Sequence, residues 1–217
     1  MREIEKGIFE LEGAGWPSNA FLVHGDDPVV VDAGSPRSGR RIVAELRAAG
    51  IAPALILLTH SHADHVGGAA AIRLETGAAI CAPHAERDLL TGKETHPALV
   101  RSLARAANLG RRPRMPAVDR WLEDGEVVAG FEVVATPGHT TGHTCYRHGT
   151  ALFAGDAVVT GDRFREALGL FTADRSQARR SVEMLAALDV DLALSGHGPP
   201  AREATARLQE LACRWRT

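Results

Sequence analysis

Lysine is almost missing from this chain: of 25 basic residues only Lys6 and Lys93 are not arginine, and asparagine and glutamine are scarce too. Warm growth or a codon bias would each leave that mark. The three cysteines, Cys81, Cys145 and Cys213, are odd in number and far apart. That excludes a disulfide framework and a C-x-x-C zinc knuckle. No apolar run approaches a membrane span. The start, Met1-Arg-Glu-Ile-Glu-Lys6, alternates charged and apolar residues without a signal-peptide core. A cytoplasmic protein is therefore expected. A formal net charge of −2 gives no global pull toward nucleic acid or an anionic membrane. The expected partner is a small-molecule substrate, with no nucleic acid and no membrane, and the composition leaves monomer and homodimer equally open. No repeat or low-complexity linker breaks the 217 residues, so one domain spanning 1–217 is expected.

What is present alternates strand and helix patterns. Residues 3–12 alternate as one half-buried strand, and 19–24 with 28–32 read as a hairpin across Gly25-Asp26-Asp27. Residues 38–49 read as a helix with Ile42, Val43 and Leu46 inward. The run Ala54–Leu58 is a buried strand, followed by a helix from near Val66 to about Thr76 and a strand at 78–82. This order predicts an α/β class. Strands return at 120–122, 131–135, 143–147 and 151–154. A helix capped by Asp174 or Ser176 runs through Leu188, then come a strand at 191–195 and a helix at 201–214.

The densest chemistry is Thr59-His60-Ser61-His62-Ala63-Asp64-His65, directly after the buried strand. His60 and His62 are two apart, so an extended chain turns both to one face. Asp64 and His65 fall where the chain turns into the next helix, and Gly67-Gly68 lets backbone approach closely there. Three later residues follow the same rule. His139 in Thr136-Pro-Gly-His139, Asp156 after Gly155, and His197 between Gly196 and Gly198 each lie just past a predicted strand with glycine beside them. That is where open α/β folds place active sites. Five histidines and two aspartates suffice for two adjacent metal ions. Neutral imidazole and carboxylate suit zinc, with iron and manganese as rivals.

In order and spacing these residues resemble the metallo-β-lactamase-fold superfamily, a likeness that also takes in the Asp32-Ala-Gly34 turn. The resemblance implies a four-layer αββα sandwich with the site at one edge of its two sheets. It implies one metal held by His60, His62 and His139, a second by Asp64, His65 and His197, and Asp156 bridging both. Asp32 would support a ligand histidine from behind, fixing its tautomer. Two divalent ions about 3.5–4 Å apart lower the pKa of a shared water toward neutrality, so a metal-bridging hydroxide is the expected nucleophile, with Asp64 orienting it. No serine or cysteine triad is recognisable.

Within the superfamily, Pro137-Gly-His-Thr-Thr-Gly-His143 resembles glyoxalase II-type thioesterases, with His143 as a candidate catalytic residue, a support for the metal ligands or a satisfied strand histidine. The glycine-rich Gly-Cys-Gly-Arg stretch of glyoxalase II does not follow Asp156, and a protein without its C-terminal helical domain is expected. The expectation is a hydrolase of a small acyl substrate, thioester first, lactone or other ester second. A mononuclear iron oxidoreductase of the persulfide dioxygenase type, or a phosphodiester or β-lactam hydrolase of the same fold, stands as the alternative. His24, His84, His96 and His148 read as surface or turn residues. The segment 85–120 reads as a helical insertion, with short helices at 85–90 and 98–109. From Lys93 to Arg120 it carries Lys93, Arg101, Arg105, Arg111, Arg112, Arg114 and Arg120 against only Glu94 and Asp119. Arg111 and Arg112 are the candidates to hold a substrate carboxylate or phosphate, because the planar guanidinium pairs with such groups bidentately.

Overall fold

The computed structural model describes residues 1–15, 17–107 and 115–215. The chain divides into two compact units, Met1–Trp121 and Leu122–Thr217. Each has a sheet and its own helices. No helix among the described residues is long and apolar enough to cross a membrane.

In the first unit the strands follow one another across the sheet in chain order. They are β1 (Arg2–Glu5), β2 (Ile8–Glu10), β3 (Phe21–Val23), β4 (Val29–Val31), β5 (Leu55–Leu57), β6 (Ala79–Pro83) and β7 (Arg120–Leu122), at whose end the division falls. The first four pair antiparallel, and β4, β5 and β6 pair parallel. Their crossovers are helical: α1 (Gly39–Ala48), then α2 (Ala63–Val66) and α3 (Ala69–Thr76). Strands β4 and β5 are apolar at every position, as strands covered on both faces must be. Leu22, Val30, Ile56 and Ile80 form one core with Ile42 and Leu46 of α1 and Ile72 of α3. Fully burying each such side chain is worth about 1.5–3 kcal/mol.

Two expectations change here. Residues 3–12 are a hairpin, β1 and β2, because Gly7 takes φ 81° and turns the chain back. The helix after the buried strand begins at Ala63, so Asp64 and His65 are helical; Gly67-Gly68 interrupts it. A Cβ on Gly68 would sit 2.1 Å from the Ala33 carbonyl oxygen, so only glycine allows this approach. The segment 85–120 holds a short 3₁₀ turn at His84–Glu86, then α4 (Arg87–Leu90) and α5 (Ala98–Ala107). Met115 and Val118 pack against the first core.

In the second unit the sheet order is β12-β11-β10-β9-β8, from β8 (Val127–Val128), β9 (Phe131–Ala135), β10 (Thr144–His148), β11 (Ala151–Gly155) and β12 (Leu192–Ser195). Only β11 and β12 pair parallel; the others are antiparallel. Strand β8, two residues long, is too short to show a sequence period. Helices α6 (Arg175–Leu185) and α7 (Ala204–Cys213) contribute Val182, Leu185, Leu208 and Leu211 to a core with Leu152, Ala154 and Ala193. Asp174 caps α6, accepting from the Gln177 N–H at 2.9 Å.

Candidate metal centre

The strand directions explain why the candidate ligand residues gather within each unit. In the first unit β4 and β5 are parallel neighbours, so Asp32 and the His60 stretch leave the sheet at the same edge. The His60 and His62 rings lie 4.7 Å apart, and the His60 and His65 rings 4.1 Å apart. Asp64 Oδ2 is 4.0 Å from His65 Nε2. His60, His62 and His65 are buried, while Asp64 is partly exposed.

Buried hydrogen bonds set the protons on these rings. The Asp32 carboxylate accepts from the Thr59 N–H (2.9 Å) and from the Thr59 hydroxyl (2.9 Å to Oδ2). It also lies 2.8 Å from His65 Nδ1. A carboxylate only accepts, so His65 carries its proton on Nδ1 and presents Nε2 as a ligand nitrogen. The Thr59 hydroxyl has spent its hydrogen on Asp32. It must therefore accept from His60 Nδ1, 3.0 Å away, which makes Nε2 the ligand nitrogen there too. Asp32 thus fixes two rings, one of them through Thr59. It does so from a left-handed backbone, φ 57°, which aspartate tolerates better than most residues.

In the second unit β9 and β11 run the same way, each antiparallel to β10, and β12 is parallel to β11. His139, Asp156 and His197 therefore emerge at one edge. His139 Nε2 and His197 Nε2 each lie 3.3 Å from Asp156 Oδ2. Imidazole nitrogens converging on one buried carboxylate oxygen form a donor set that fits zinc or iron. Gly138, at φ 132°, allows this course, since a Cβ there would meet the Ala178 nitrogen at 2.1 Å.

His143 is a candidate catalytic residue by sequence. It is fully buried, and its Nε2 accepts from the Asp156 backbone N–H at 2.9 Å. Its Nδ1 therefore carries the proton and donates to the Thr136 hydroxyl at 2.8 Å. With both nitrogens engaged inside the protein, it holds the Asp156 backbone in place. Cys145 is buried beside it, as expected of a core residue.

Two residues of the first unit escaped the sequence reading. Glu86 is completely buried and accepts from the Ser61 N–H at 2.9 Å. His96, expected on the surface, is half-buried. Its Nε2 lies 3.1 Å from the Ser61 hydroxyl and its ring 4.7 Å from that of His62. Burial lowers its pKa, against smaller upward effects of Glu86 and of the Ser61 contact. One signal was available for Glu86: it stands four residues before buried Leu90, on the same helical face. Arg111, Arg112 and Arg114 lie outside the described residues, as does the side chain of Arg105. Arg101 is exposed and donates to the Thr95 hydroxyl at 3.0 Å.

All seven ligand-type residues belong to groups of side chains that could hold a metal ion, and on this fold they define a metal-dependent hydrolase. The family model described as the metallo-beta-lactamase superfamily matches residues 13–197. The chain belongs to that superfamily. It is 33% identical over 199 residues to the probable metallo-hydrolase YflN of Bacillus subtilis (strain 168), covering 79% of this chain and 75% of that one. It is 35% identical over 140 residues to the hydroxyacylglutathione hydrolase of Pseudomonas aeruginosa (strain LESB58), covering 61% of this chain but only 42% of that relative. Among solved structures, TTHA1623 in a di-iron-bound form aligns with a TM-score of 0.71 at 30% identity, over 88% of this chain and 93% of that one. The metallo-beta-lactamase family protein TTHA1429 from Thermus thermophilus aligns with a TM-score of 0.76 at 24% identity, over 99% and 81%. The fold is the metallo-β-lactamase fold, the class expected from the sequence.

Proposed function

We propose that the chain hydrolyses small acyl substrates with two metal ions, thioesters first and lactones or other esters second. The observation that carries this reading is the pair of ligand groups, each backed by side chains that fix its geometry. His60, His62 and His139 would hold one ion, Asp64, His65 and His197 the other, and Asp156 both. When bound, two divalent ions would supply a water-derived nucleophile near neutral pH and a counter-charge for the oxyanion of the reacting carbonyl.

The remaining work falls to the chain. Asp32 and Thr59 keep protons on Nδ1 of His65 and His60, so that both rings offer Nε2. His143 holds the Asp156 backbone. Asp64, at 30% side-chain exposure against 7% for Asp156, would be the carboxylate that orients the water. Support for a thioester comes from the hydroxyacylglutathione hydrolase relatives and from the Pro137–His143 motif. Zinc is the first choice of metal; the di-iron form of TTHA1623 keeps iron in view, and manganese shares the donor preference. A cytoplasmic location and a small-molecule substrate belong to the same reading.

The test is a substrate panel on zinc-loaded and iron-loaded protein: thioesters, lactones, β-lactams and phosphodiesters, with oxygen uptake on a persulfide followed in parallel. Thioesters should be cleaved fastest. Oxygen uptake without acyl hydrolysis, or preference for a phosphodiester, would overturn the proposal.

A further inference from the structure

The bonds from Asp32 and Thr59 act on the rings of His65 and His60. A different grip falls on Ser61, the residue between His60 and His62. Strands β5 and β6 pair parallel, with Leu57 opposite Cys81, so the loop after β5 and the 3₁₀ turn after β6 leave the sheet at one edge. From that turn the Glu86 carboxylate accepts the Ser61 N–H at 2.9 Å, and both residues are completely buried. The Ser61 hydroxyl meets His96 Nε2 at 3.1 Å. Main chain and side chain of this one residue are therefore both held by the segment that follows β6.

That segment is itself anchored. Four residues after Glu86, on the same helical face, Leu90 of α4 packs in the first core. The loop that returns to His96 is tied where the Glu94 N–H donates to the Asp88 carbonyl at 2.9 Å. Arg101 ties it again, donating to the Thr95 hydroxyl at 3.0 Å. A carboxylate taken out of water is costly unless it is bonded, and its bond to an N–H is stronger than that of a neutral acceptor. Here the bond acts on the peptide unit that joins two candidate ligands, whose rings lie 4.7 Å apart. Rotating that peptide would move one ring relative to the other, so a single acceptor placed there governs the pair.

We propose that Glu86 is a positioning residue of the metal centre: by holding the Ser61 N–H it sets the separation of His60 and His62 as ligands of one ion. That these two histidines share an ion rests on the metal-dependent reading above; the hold on Ser61 does not.

Two exchanges separate reach from charge. Glu86→Gln keeps an oxygen at the same reach and removes the charge; Glu86→Asp keeps the charge and withdraws it by one methylene. Amide hydrogen exchange in the metal-free, full-length protein reads the hold itself. The Ser61 amide should stay protected in the native protein and in Glu86→Gln, and should exchange about tenfold faster in Glu86→Asp, the equivalent of one hydrogen bond. Competition for zinc with a chelator reads the consequence. Glu86→Asp should weaken zinc binding by about 10–100-fold, the scale of losing a partner behind a metal ligand, and Glu86→Gln by less than about tenfold. Unchanged Ser61 exchange in Glu86→Asp overturns the hold. Zinc affinity that Glu86→Asp leaves at the native level, or that Glu86→Gln lowers as far as Glu86→Asp does, overturns the positioning role. Failure of the native protein to bind zinc would strike the metal centre itself, whereas failure of Glu86→Asp alone to lose affinity strikes only the role of Glu86.

Discussion

Replacing Asp32 by asparagine changes proton positions while leaving shape alone. Asparagine accepts φ 57° as readily as aspartate, so the backbone is not strained by the exchange. The amide oxygen can still accept from the Thr59 N–H, 2.9 Å away. Its NH₂ group then faces His65 Nδ1 and the Thr59 hydroxyl, where the carboxylate oxygen had accepted at 2.8 and 2.9 Å. Two donors cannot share a hydrogen bond, so His65 must move its proton to Nε2. The Thr59 hydroxyl keeps an acceptor in the amide oxygen, 3.1 Å away, so His60 keeps its proton on Nδ1. The His65 ring would then carry hydrogen on the nitrogen meant for the metal.

Losing one such outer partner costs about 10–100-fold in metal affinity. With His65 affected, that loss amounts to about 1.4–2.7 kcal/mol. In metal-free protein, charge-assisted bonds give way to neutral ones of roughly half the strength, a loss of about 1–3 kcal/mol. Competition with a chelator measures the first quantity, and urea unfolding of chelated protein the second. Metal affinity within about threefold of the native protein would refute the tautomer argument.

Other outcomes follow from neighbouring residues. In metal-free protein, NMR titration should find His96 below its ordinary imidazole value, and Glu86→Gln should lower it further, because the Glu86 charge opposes the effect of burial. The folded ring stays neutral where the unfolded chain takes up a proton, so stability should fall as pH drops through the ordinary imidazole range; a midpoint at or above that range contradicts this. Ile56→Ala, in the first core, should cost about 2–5 kcal/mol in urea unfolding. Asp156→Ala should lower turnover by several orders of magnitude, while exposed His24→Ala does little; equal damage from both would move the activity elsewhere.

The candidate ligand residues stood out in the sequence because their stretches follow strands, where the backbone ends its ladder and glycine admits close approach. Asp32 was legible through its turn, but its reach through Thr59 to His60 was not, since a hydroxyl's role depends on what surrounds it. The hairpin at Gly7 was hidden because a tight turn can preserve the alternation of the strands it joins. His96 looked like a surface histidine because nothing local marks a ring that folds back over a loop 35 residues earlier. Glu166, Arg175, Arg179 and Trp215 come together around one small cavity, a set that only tertiary packing assembles.

The metal content of the full chain tests the central proposal most directly. Protein saturated with zinc, freed of unbound metal and measured by elemental analysis should approach two equivalents per chain, since seven donors exceed what one tetrahedral ion can use. Asp156→Ala should lower that value. A firm plateau at one equivalent in the native protein, unchanged by the substitution, would contradict the dinuclear account.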